Sequence, residues 1–202
     1  MTRHDAEIYT IDFLEKHNIN EDNFPFNIKI LSRMEDAFNV RNEDDKKIKG
    51  GILYPKNIIF IVSDNHKNQN DLIQTLQHEI FGHIAINYLS PDQKNSLLKS
   101  IEYESKRDSC DFLDIATKLN NDWHYSKIST LQRAEELFAY IAENTSVNPN
   151  YKFTPFENKL DGNTKEKIEN IIQNLAAGIR ENKLTLQKEN FVEKSQDKGM
   201  SR

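Results

Sequence analysis

Apolar positions along the first third of the chain come in short runs, and only beyond residue 70 do they settle into helical spacing. Ile8, Ile11, Phe13 and Leu14, within Asp5 to His17, predict a short amphipathic helix. Phe26-Asn27-Ile28-Lys29-Ile30-Leu31 alternates with period two and predicts a strand with one solvated face. Gly50 to Tyr54 and Ile58 to Val62, separated by Pro55-Lys56-Asn57, predict two strands joined by a tight turn. The polar stretches 41–49 and 63–69 read as connectors. The 58–62 strand has two readings: a sheet edge that offers main-chain groups to an extended peptide, or an ordinary buried strand.

From Asn70 the period lengthens. Leu72, Ile73, Leu76, Ile80 and Ile84 predict one helix to about Leu89. Ser90-Pro91 is a cap and first turn for the next, with Leu97, Leu98 and Ile101 buried. Further helices are expected over 108–119, 129–144 and 165–182, with an irregular stretch at 120–127. Strands first and helices after predict an α+β fold, a small antiparallel sheet followed by a mainly helical bundle. The expected organisation is one domain over 1–162, a C-terminal helix over 163–182, and a polar, disordered tail over 183–202.

Composition narrows the function classes. The chain has 202 residues, 37% hydrophobic and 29% charged, with a net charge of −5. Length and polarity suit one globular domain, and the acidic balance argues against nucleic-acid binding driven by bulk charge. No apolar run approaches the roughly 20 residues of a membrane span. The N-terminus lacks the apolar stretch of a signal peptide, and Cys110 stands alone, so a cytoplasmic location is expected. Cys110 has no matching His-Asp arrangement, Trp123 suits a core or cleft wall, and His4, His17 and His66 read as isolated and exposed.

The chemistry concentrates in His78-Glu79-Ile80-Phe81-Gly82-His83. Two imidazoles to hold a metal and a carboxylate beside the first are what a zinc hydrolase requires. The usual spacing is H-E-x-x-H, and here one further residue intervenes. On a regular helix, residues four apart diverge by roughly 40° and residues five apart by roughly 140°, so an undistorted helix would part the rings. A π-bulge would absorb the extra residue, and Gly82 would tolerate the distortion. By composition such a pattern is expected roughly 0.015 times in this chain. The alternative is a surface or capping histidine pair on an ordinary helix.

A catalytic zinc takes three protein ligands. The third is sought in Arg133 to Glu143, whose apolar stripe is Ala134, Leu137, Phe138 and Ile141 and whose other face carries Gln132, Glu136, Ala139 and Glu143. Glu136 suits best, because the small Ala139 would let the helix approach the metal, and Glu135 is the reserve.

These two segments resemble the zincin metallopeptidases of the gluzincin kind. The His78-to-His83 motif is similar to the H-E-x-x-G-H motif of the dipeptidyl peptidase III family, which also uses an adjacent Glu-Glu pair. More of the chain, roughly 50–145, resembles small zincin-like domains of phage and plasmid polyvalent proteins, which belong to mobile elements. The matching residues are Leu76, His78, Glu79, Gly82, His83, Ala134, Glu135, Glu136, Ala139 and Glu143, with a departure at Ala85 where a glycine is expected. The resemblance implies a zincin-like fold, Zn2+ on His78, His83 and Glu136, Glu79 as general base, and a protein or peptide substrate. Tyr140, His124 and Tyr125 are candidate oxyanion stabilisers. The competing readings are a non-catalytic zinc module and a metal-free helical interaction protein.

Overall fold

The computed structural model describes residues 1–40, 43–107, 112–121, 128–187 and 190. Helix α1 (Arg3–Lys16) is capped by Thr2, whose hydroxyl accepts from the Asp5 amide. Its buried stripe is Ala6, Thr10, Phe13 and His17, while Ile8 and Ile11 remain in solvent. That stripe recurs at helical spacing, but it enlists Thr10 and His17 where the apolar pattern pointed to the two isoleucines.

Strands β1 (Asn27–Leu31), β2 (Gly50–Leu53) and β3 (Ile58–Val62) form one sheet in the order β1-β3-β2. β2 returns antiparallel on β3 after a turn in which Asn57 takes the left-handed conformation, φ 50°. β1 lies parallel on the other side of β3, so the sheet is mixed, not antiparallel as expected. This also corrects the edge reading of 58–62: β3 is central, and β1 and β2 are the edges. The physical reason is its uninterrupted apolar run. Ile59 and Ile61 enter the main core, while Phe60 and Val62 pack with Leu31 and Met34 on the opposite face. A strand buried on both faces belongs in the middle of a sheet.

Helix α2 (Gln69–Gln77) continues without a break as a π-helical segment, His78–Ile84, and a 3-10 turn, Ala85–Tyr88. Helices α3 (Pro91–Glu104), α4 (Leu113–Asn121), α5 (Thr130–Asn144) and α6 (Lys165–Arg180) complete an α+β fold. Capping boxes Ser90/Gln93 and Ser129/Gln132 start α3 and α5. The start expected for α4, residues 108–111, falls outside the described residues, as does Cys110. The π segment is wrapped by the other helices, with Phe81, Ile84, Phe138 and Ile172 fully or almost fully buried. Leu184 and Leu186, in the stretch read as the start of a polar tail, pack against this core, and the Gln187 amide donates to the Asn87 carbonyl at 2.9 Å. No described helix is long and apolar enough to cross a membrane.

Candidate metal centre

The segment bearing the histidines is tied to the sheet before it starts. His66 places Nδ1 at 2.8 Å from the Val62 carbonyl oxygen and Nε2 at 3.0 Å from the Thr75 hydroxyl. His66 is therefore a buried brace, not the exposed histidine expected from its isolation in sequence. His17 is likewise buried, its ring 4.7 Å from Phe13 and 5.1 Å from Phe81 of the π segment. Burial in this apolar setting, with Lys16 and Arg180 nearby, lowers its pKa to about 4.

The seven-residue π segment solves the spacing problem posed by the motif. His78 and His83 face each other with ring centroids 4.9 Å apart. Gly82 contributes in a different way from the one expected. No glycine among the described residues has positive φ, so its backbone freedom is not what counts. A Cβ at Gly82 would stand 2.6 Å from both Cα and Cβ of Ala139, so the missing side chain is what lets the π segment and α5 touch.

That contact delivers the α5 carboxylates. Glu136 Oε1 lies 3.5 Å from His83 Nε2, and Glu136 Oε2 lies 3.8 Å from His78 Nε2. Both separations are longer than good hydrogen bonds. They are close to the roughly 3.4 Å that separates two ligands of one tetrahedral ion with bonds of about 2.1 Å. One ligand atom from each of His78, His83 and Glu136 lies within 4.8 Å of the others.

The far nitrogen of each imidazole meets another α5 carboxylate. His78 Nδ1 is 3.4 Å from Glu143 Oε2, and His83 Nδ1 is 3.3 Å from Glu135 Oε1. The His78 Nδ1 contact lacks hydrogen-bond alignment, and among the described residues that buried nitrogen has no other hydrogen-bond partner. Glu135, the reserve ligand, thus stands behind His83. Its second oxygen is 3.3 Å from Lys94 Nζ, which donates to Asn87 Oδ1 at 2.6 Å. The Asn87 amide in turn donates to the His83 carbonyl oxygen at 2.6 Å. Carboxylates behind ligating imidazoles fix the tautomer and the ring orientation.

The electrostatics call for a cation. Burial opposes charge on His83, but the neighbouring carboxylates of Glu136, Glu135 and Glu79 raise its pKa to about 10. Burial also opposes charge on Glu136, yet the two imidazoles hold it below the ordinary carboxylate range. Without a metal, a proton on His83 balances the site. A divalent ion would do so more fully, because every one of these donors ligates when deprotonated.

Glu79 is buried, and near enough to His83 for its charge to help raise that imidazole's pKa. Tyr140 sets its ring 5.2 Å from His78 at 81°, with Lys118 Nζ 5.5 Å from the Tyr140 centroid. His124, Tyr125 and Trp123 lie outside the described residues. Lys94 and Asn87 were not signalled by the motifs, since they come from the following turn and α3. Glu143 was visible as a further acidic residue on the Glu136 face and as part of the resemblance, but with no role attached to it. Compared with protein-family models, curated proteins and solved structures, the chain shows no significant match.

Proposed function

We propose that this chain is a zinc-dependent metallopeptidase of zincin type, with His78, His83 and Glu136 as the metal ligands and Glu79 as the general base. The observation that carries the reading is the pair of Nε2–Glu136 separations, 3.8 and 3.5 Å, which suit two ligands of one ion better than hydrogen bonds. Two nitrogens and one carboxylate oxygen form a donor set that zinc accepts, and three protein ligands leave a position for water. Zinc bound there would supply an acidified water and polarise a peptide carbonyl.

The chain's own residues account for the rest. Glu135 keeps Nε2 of His83 directed inward from behind, and Glu143 stands 3.4 Å behind Nδ1 of His78, placed to do the same for that ring. The Glu79 carboxylate takes the proton of the attacking water and returns it to the departing amine nitrogen. Tyr140, on the ligand helix, is the candidate donor to the developing oxyanion. A purely structural metal site would have no use for a buried carboxylate directly after its first ligand, and Glu79 therefore favours the hydrolytic reading over a non-catalytic zinc module.

The deciding experiment measures zinc per chain and hydrolysis of a quenched-fluorescence peptide library in wild type, Glu136→Ala and Glu79→Gln. Near one zinc in wild type, a clear loss in Glu136→Ala, and retained zinc without hydrolysis in Glu79→Gln are expected. Hydrolysis that survives Glu79→Gln would refute the assignment of the base. A wild type that takes up no zinc would refute the site.

A further inference from the structure

A second feature lies between α1 and β1. The two elements enclose a groove of about 340 Å3 floored by Leu14, Ile19, Phe24, Ile28 and Ile30. Ile11 lines it at 53% exposure, and Ile8, one turn earlier, is 43% exposed. Leaving two isoleucines in water on one short helix costs stability that covering them would recover.

β1 is also an open edge. The Asn27 amide donates to the Asn57 carbonyl oxygen at 2.9 Å, which turns the main-chain groups of Asn27, Lys29 and Leu31 toward β3. Main-chain groups alternate between the two edges of a strand, so those of Ile28 and Ile30 turn away from the sheet. Among the described residues, no backbone hydrogen bond from outside the sheet reaches either one. The residues that offer free main-chain groups are the ones whose side chains floor the groove.

The wall has a sign. Glu7 and Glu21 line the groove, and among the described residues no Lys or Arg does. Arg3, one helical turn away, pairs with Glu7 at 2.8 Å, while no ion pair among the described residues holds Glu21. From Arg3 to Asp22 the chain carries six carboxylates against two cationic side chains. A second copy of the chain would set this acidic wall against itself, which disfavours a symmetric dimer here.

We propose that the groove docks an extended segment of a partner protein, added to β1 as a further strand. Its aliphatic side chains enter the groove at alternate positions, and Lys or Arg residues flank them against Glu21 and the acidic excess of the 3–22 segment. Main-chain pairing with Ile28 and Ile30 gives affinity, and the apolar pocket and acidic wall give specificity.

The test titrates the 15N-labelled full chain with a heptapeptide in which two valines alternate with threonines between terminal arginines. Saturable shifts of the Ile28 and Ile30 amides are expected. Binding should weaken by about tenfold or more with Ile11→Glu, with N-methylated valines, or with glutamates replacing the arginines. Ile11 is solvent-exposed, so Ile11→Glu should keep the wild-type melting temperature and report on the groove alone. Absence of shifts at millimolar peptide overturns the proposal, as does equal binding of the glutamate peptide. Shifts that follow protein concentration without peptide would overturn it in favour of a second copy.

Discussion

Replacing Gly82 with alanine probes the contact on which the proposed metal centre depends. The new Cβ would lie 2.6 Å from Ala139 Cα, where ordinary contact begins near 3.4 Å, so the π segment and α5 must part by about 0.8 Å. The obstacle is backbone, and no side-chain rotation relieves it. His83 rides on one side of this contact and Glu136 on the other, while metal–ligand distances hold to within about 0.2 Å. Zinc affinity should therefore fall by about tenfold to a hundredfold, and the metal-free fold should lose about 1–3 kcal/mol from overpacking. Gly51→Ala is the control. Its Cβ would meet only the Phe60 ring, at 2.8 Å, and a ring can turn aside. Competition titration with a chromophoric zinc chelator and thermal melts of the metal-free protein read both effects. Zinc affinity in Gly82→Ala within about twofold of wild type would refute the argument that this close approach sets the ligand geometry.

Four further outcomes follow from the same contacts. Glu135→Gln and Glu143→Gln should each retain a folded chain but weaken zinc binding by about 10- to 100-fold, and zinc titration that matches wild type would remove them from the site. Chelation should lower the melting temperature of wild type and leave that of His83→Ala unchanged, because only a bound ion stabilises by mass action. His17 has a folded pKa of about 4 against an ordinary 6.5, so its contribution is present above pH 6.5 and is lost as pH falls toward 4. That shift is worth about 3 kcal/mol, and denaturant titrations of His17→Leu between pH 7 and 4 should show a correspondingly flatter decline. His83 has the opposite sign. Its raised pKa, about 10, stabilises the metal-free protein below pH 6.5, and that contribution is lost as pH rises through 10. Zinc-loaded protein, whose imidazole is neutral, should lack this alkaline loss in the same titrations.

Much of the site was legible in one dimension because helical chemistry is periodic. The five-residue interval between His78 and His83 demanded a distorted helix, and the π segment supplies it. The small Ala139 beside Glu136 indicated a close helix approach, and it meets Gly82. The helices themselves followed from apolar spacing, which records which face of an element avoids water. What spacing does not record is which element covers that face. The central position of β3 depends on β1, paired in register from Asn27↔Ile58 onward, and no local signal specifies a contact across that separation. His17 reads as exposed because Phe81, which it meets, is remote in sequence. The His66 partners Val62 and Thr75 are near in sequence but on different elements, a strand and a helix that only the fold sets side by side. Glu136 is preferred over Glu135 because of the small Ala139 beside it, but what Glu135 does instead has no local signal. Adjacent residues on a helix point about 100° apart, and only the crossing of α5 over the π segment turns one toward the shared ligand position and the other behind His83, against Lys94. Local sequence determined the candidate donors and most of the helices that carry them. Tertiary packing decided their roles, because a role depends on direction and distance between elements that the chain brings together only when it folds.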